Sequence, residues 1–258
     1  MNSRQSRAGG AIDLDGLPLG IGAIGLGVLG LLSHDFAFQW QPVPAGWPGH
    51  AALAFVSGIV LVLGGATILA RRTSLIGAGV LAFWFGLWAI VLHLPVVVAG
   101  PSIASALGVA ETGAIAMGAA QLLAQRSAGR APTWVRPGSR ILFGLCALVF
   151  GTSHFVYAEF TAAMVPGWIP GHLFWAYATG ACHVAAGVAI LAGVRVWLAG
   201  TLLAAMAGGF VLLLHLPRVV ATPSSRMEWT MMFVALSIAG AAWIMRLAGK
   251  PVRGGFRR

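Results

Sequence analysis

The chain has 258 residues, 59% of them hydrophobic and only 9% charged. That balance excludes an ordinary soluble domain, where roughly a quarter of residues are charged. Sixteen Lys and Arg against six Asp and Glu leave a net charge of +10, but the cations are scattered over short loops and one tail without a recognition motif, which argues against a nucleic-acid partner and for a lipid one.

Lipid supplies no hydrogen bonds, so spanning segments are helices or a closed barrel, and the apolar runs here lack the period-two alternation of barrel strands. The expected class is therefore an all-α integral membrane protein. A span needs about 20 mostly apolar residues, and in chain order eight segments qualify: 17–33, 50–70, 75–97, 104–124, 140–157, 172–193, 196–216 and 227–247. The first is short and rich in glycine. Arg4 and Arg7 precede it in a segment 1–16, and with no small-residue cleavage site after it a removed signal peptide is not expected.

The eight segments fall into two sets of four. Residues 17–124 form a first membrane repeat, 125–139 a basic linker with Arg126, Arg130, Arg136, Pro132 and Pro137, 140–247 a second repeat, and 248–258 a basic tail. With a cytoplasmic N-terminus, fourteen of the sixteen cations fall inside and only Arg218 and Arg226 outside. This segregation predicts an inner-membrane protein with both termini and the linker cytoplasmic. Cys146 and Cys182 lie within spans and form no metal or disulfide spacing. Trp40, Trp47, Trp168 and Trp229 fall near the outer boundary, where indole rings form a belt.

The repeat is written in the residues. His93-Leu94-Pro95-Val96-Val97-Val98-Ala99-Gly100-Pro101-Ser102 returns as His215-Leu216-Pro217-Arg218-Val219-Val220-Ala221-Thr222-Pro223-Ser224, with eight of ten positions identical. His50 precedes His93 by 43 residues, as His172 precedes His215, and Ser33-His34 matches Ser153-His154. Because each repeat holds an even number of spans, the halves enter the membrane in one direction, as parallel repeats do. The proline after each histidine predicts a stop or bend at the end of the third span.

This topology gathers His34, His50, His93, His154, His172 and His215 at one face. Interfacial histidines copied by duplication account for that. So does a metal site, since three imidazoles with an open position suit zinc, copper or iron, and so does a haem held between His93 and His215. The halves differ at His183, eleven residues after His172 and about 20° from the same helical face. Leu61 takes the matching position in the first half. His183 beside Cys182 is a polar site inside a span, and such sites are functional candidates. Among carboxylates, Glu159 matches Gln39, while Glu111 and Glu228 lie early in the last span of each repeat. Each could orient a ligand or pass a proton.

At Thr179-Gly180-Ala181-Cys182-His183, followed by Gly187 and Arg195 and preceded by Pro166 and Pro170, the second half resembles the DoxX-like family of small four-span bacterial membrane proteins. Ser57-Gly58, Gly64-Gly65 and Arg71-Arg72 carry a fainter echo in the first half. That family has an acidic residue where this chain has His183 and Leu61, so a role needing a carboxylate there does not carry over. The resemblance implies a four-helix unit, here fused in tandem, that in some members is the membrane subunit of a quinone-linked sulfur-compound oxidoreductase acting with redox partner subunits. On that reading His183, His172 and His215 line the site and Glu159 or Glu228 is the proton partner. A non-enzymatic metal or haem protein using the outer histidines, and a structural membrane partner without chemistry, remain alternatives.

Overall fold

The structure is a computed structural model, and it describes residues 12–249. Arg4, Arg7, Lys250, Arg253, Arg257 and Arg258 lie outside the described residues. The helices are α1 (Leu17–Ser33), α2 (His50–Leu69), α3 (Ser74–Trp88), α4 (Leu94–Ala99), α5 (Ile103–Arg126), α6 (Val135–Val156), α7 (Ala158–Met164), α8 (His172–Ala192), α9 (Val196–Phe210), α10 (Leu216–Ala221) and α11 (Arg226–Met245). Among the described residues seven continuous rods are long and apolar enough to cross a membrane, the second being Ser74–Ala99 and the sixth Val196–Ala221; α1, with 17 residues, is shorter. The protein is an all-helical membrane protein. Side chains such as Phe83, Val98, Leu212 and Val220, more than half exposed, face outward where lipid would cover them.

The two His-Leu-Pro elements do not end their helices. A five-residue π-turn, Ala89–His93 after α3 and Val211–His215 after α9, lets each rod run through its proline for another six residues. Proline has no N–H and crowds the carbonyl four residues back, and a π-turn is one way a helix absorbs both faults without breaking. At the other boundary α6 starts at Val135, inside the span expected for the linker, because Pro137 sits in the first turn, where its missing N–H is not needed.

Polar groups set the remaining ends. Ser102 caps α5 in a capping box with Ser105, and Ser225 caps α11 by accepting from the Glu228 amide. α2 and α8 each begin after a glycine with φ of 74°, Gly49 and Gly171, a conformation other residues rarely adopt. Arg140 donates to the Ile190 and Leu191 carbonyls at the end of α8, and Arg136 to Leu247 and Ala248 beyond α11, each putting a cation on a helix C-terminus.

Two of the helix pairs are antiparallel and built on small residues. α1 packs along α2, with Gly20 and Gly27 against Gly65 and Gly58; α6 packs along α8, with Gly144 and Gly151 against Gly187 and Gly180. Within every one of these helices the two glycines are seven residues apart, so they share a face. A Cβ on Gly27 would stand 2.6 Å from the Gly58 carbonyl oxygen, and one on Gly151 would stand 2.8 Å from that of Gly180. In lipid, where apolar burial drives no association, such backbone proximity gives helices their van der Waals contact. α1 also packs on α11 and α6 on α5, with α5 against α11 between them. α11 is the centre, with 56% of its spanning window buried against 28–39% for the other spanning rods.

Candidate functional site

The glycine faces of α6 and α8 place two histidines together. His154 is three residues beyond Gly151 and His183 three beyond Gly180, so both project from the faces along which the helices touch. Their ring centroids are 5.0 Å apart, tilted by 39°. Phe150 stands edge-on to His183 at 5.7 Å and Phe210 of α9 lies 6.5 Å away, so two imidazoles and two phenyl rings share the space. His183 is 7% exposed.

The hydrogen bonds fix the chemistry of the pair. His154 Nδ1 is 2.8 Å from the Phe150 carbonyl and His183 Nδ1 is 2.9 Å from the Thr179 carbonyl, each four residues back in its own helix. A carbonyl only accepts, so Nδ1 carries the proton in both rings. That leaves two Nε2 lone pairs, with no partner among the described residues, inside an apolar layer. On α9 next to Phe210, a Cβ on Gly208 or Gly209 would meet nothing within 4 Å, so the surface there is open. Among its described residues the first half has no comparable histidine pair. The residue three beyond Gly27 is Gly30, not His34, and Leu61, 1% exposed, packs in the dry core.

The other histidines do not converge. His34 is an exposed left-handed cap at the end of α1. His50 Nε2 lies 3.7 Å from Asp35 Oδ1, while Asp35 Oδ2 accepts from Arg226 at 3.0 Å; Arg226 also stacks 4.0 Å above the Phe38 ring. His172 opens α8, and eleven residues at about 1.5 Å each set it roughly 16 Å along the axis from His183, so the shared face does not make a shared site. His93 is buried, with Nε2 3.1 Å from the Trp40 carbonyl and its ring filling the space where a side chain on Gly108 would go. His215 is buried, and its Nδ1 has no partner among the described residues. Among the described residues no three His, Cys, Asp or Glu side chains gather as a metal site would require. The three-imidazole arrangement raised by the sequence is thus not formed. The histidines share an end of the bundle but belong to different helix contacts.

The carboxylates also separate. Glu159 is exposed in the first turn of α7. Glu228 is the third residue of α11, in the place that Ser105 holds in α5, which gives it a helix-capping position; one carboxylate oxygen is buried without a partner. Glu111 is the ninth residue of α5. It lies beside the indole of Trp40, whose Nε1 is buried and closes no hydrogen bond of good geometry. Trp40 is therefore an interior residue rather than part of a boundary belt, because the turn Phe38–Trp40 folds back onto α5. Trp47 and Trp168 are exposed as expected. Cys182 is exposed, about 100° around α8 from His183, so it does not share the inward site; Cys146 is partly buried near Gly113.

At the opposite end, Asp13 accepts two hydrogen bonds from Arg126, at 2.9 and 2.6 Å, and Asp15 bridges Arg126 and Arg246. The strongest single influence on Asp13 is burial, which opposes its charge. The Arg126 guanidinium, Ser74 and the Asp15 amide together outweigh it and hold the carboxyl below its usual value. These pairs join the segment before α1 to the ends of α5 and α11. No known protein family, curated protein or solved structure matches the chain.

Proposed function

We propose that this chain is the membrane subunit of a quinone-linked oxidoreductase, with a quinol site at His154 and His183. Oxidation of a quinol releases two electrons and two protons. The two Nε2 lone pairs receive the hydroxyl hydrogens as protons, leaving the quinone, and the two electrons reduce the oxidant of the step, a flavin or metal redox centre held by a partner subunit. The observation that carries this reading is the fixed tautomer: both Nδ1 protons are held by backbone carbonyls, so each ring offers only an acceptor. An acceptor pair selects the hydroxyls of a quinol over the carbonyls of a quinone. The phenyl rings of Phe150 and Phe210 suit an aromatic head-group, and the open surface at Gly208 and Gly209 suits entry from the bilayer.

The wider reading is a tandem of two DoxX-like four-helix units, eight spans in all, related by a pseudo-twofold axis along the membrane normal and set in a bacterial inner membrane with cytoplasmic termini. The like pairing of α1 with α2 and α6 with α8, the two π-turns before proline and the serine caps of α5 and α11 support it. So does the location of most described arginines at one end, with Arg218 and Arg226 at the other. His172, Glu159 and Glu228, placed apart from His183, have no part in this site, and neither His93 nor His215 is needed for it.

Titration of the purified protein with short-chain quinol and quinone, followed by fluorescence quenching, tests the proposal. Quinol is expected to bind at least tenfold more tightly than quinone, and His154→Phe and His183→Leu are expected to abolish the difference. Equal affinity for the two forms, or binding unchanged in both variants, sinks it. The same two nitrogens suit a cuprous ion, and stoichiometric copper lost in both variants would replace quinol with metal.

A further inference from the structure

We propose a phosphate-binding site at the opposite end of the bundle, in the cleft lined by Arg71, Gln125, Arg126 and Ala128. The cleft is open and has a volume of about 300 Å³, at the small end of the range for ligand sites. Its charge is unbalanced. At that end Asp13 and Asp15 are the carboxylates among the described residues, and Arg126 and Arg246 hold them both. Arg71 is exposed and forms no ion pair with a described residue.

The donors suit an oxyanion. Arg126 spends Nε and Nη2 on the two aspartates, which leaves Nη1. The aspartates also fix its guanidinium plane, so little side-chain entropy is lost when a ligand binds. Arg71 supplies a second guanidinium from the turn after α2. Gln125 has its Oε1 buried without a partner among the described residues, which leaves the amide NH2 as the end for a ligand. Phosphate geometry matches such a set of planar forks and single donors.

The depth of the cleft decides between sources. It lies where α2 and α5 end, and at the same end Trp134 and Trp197 are exposed beside the starts of α6 and α9. Exposed indoles at helix ends mark headgroup level. The favoured occupant is accordingly the phosphate of an anionic lipid headgroup, with free phosphate as the other source of the same chemistry.

Native mass spectrometry of the full chain in detergent, with phosphatidylglycerol or inorganic phosphate as probe, tests the site. Arg71→Gln is expected to weaken phosphatidylglycerol binding about tenfold, and Arg72→Gln, at the exposed neighbour outside the cleft, less than about twofold. Both arginines are exposed, so folding is not at stake. Arg71-dependent binding of phosphatidylglycerol that millimolar phosphate does not displace identifies a lipid; displacement by phosphate identifies the free ion. Equal weakening by the two variants, or no saturable binding of either probe, overturns the proposal.

Discussion

His154 and His183 face each other across the α6–α8 contact with 5.0 Å between ring centroids, and each is anchored through Nδ1 to the carbonyl four residues behind it. Leu61, three residues beyond the seam glycine Gly58 as His183 is beyond Gly180, is 1% exposed within a dry core. His183→Leu is therefore expected to fold with a stability change under about 1.5 kcal/mol, as volume-conserving core exchanges do. His183→Ala, which opens a cavity among Phe150, His154 and Phe210, is expected to cost about 2–4 kcal/mol. Thermal unfolding in detergent measures both. A leucine variant as unstable as the alanine one would mean that the imidazole itself holds the helices together.

The glycine seams predict a sharp positional contrast. A methyl on Gly151 would press on the Gly180 carbonyl oxygen at 2.8 Å and on Val184, so Gly151→Ala forces the backbones apart at an expected cost of about 1–3 kcal/mol. Gly208→Ala meets open space and gains helix propensity, so it is expected to be neutral or stabilising by up to about 1 kcal/mol. Unfolding titrations of the two single variants in mixed micelles compare them directly. Similar losses at both positions would show that seam packing is not what distinguishes them.

Much of the helix order was legible because apolar run length alone specifies a span, and α1, α2, α8 and α9 begin where the residue pattern places them. Registers were less legible. Matching Ser33-His34 to Ser153-His154 uses identity, whereas the contacts pair Gly27 with Gly58 and Gly151 with Gly180, which puts Gly30 in the place of His154. The histidine pair left a readable trace: His154 and His183 each follow a seam glycine by three residues, and two glycines seven apart declare which helix face is in contact. Trp40 gave no such trace. Its burial depends on how the loop before α2 folds onto α5, a long-range choice that local pattern does not encode.

Asp13 predicts an acid-sensitive end. Its carboxyl lies lower in the folded chain than in the unfolded one, so the unfolded state binds more protons as pH falls. The stability it contributes is complete above about pH 4, the ordinary carboxylate range, and is lost as pH falls through the lower folded value. Asp13→Asn is expected to cost about 1.5–3 kcal/mol at neutral pH, the worth of hydrogen bonds to a charged partner. The same variant should flatten the acid limb of stability against pH. An acid limb identical in the variant would assign the effect to other carboxylates.

Pro217 holds the π-turn that carries His215. With alanine there, position 217 regains an N–H for the Leu213 carbonyl and the crowding at that carbonyl disappears, so the segment Val211–His215 is free to tighten to an α-turn. Removing one residue's worth of bulge rotates the downstream part of the rod by about 100°, which would turn the His215 ring out of its buried position. Pro217→Ala is therefore expected to leave overall stability unchanged or raised while carbethoxylation of His215, slow in the parent, becomes rapid. His93 in the same variant serves as the internal reference, since Pro95 and the turn Ala89–His93 are untouched. Unchanged His215 reactivity would mean that packing against α11, rather than proline, holds the turn open.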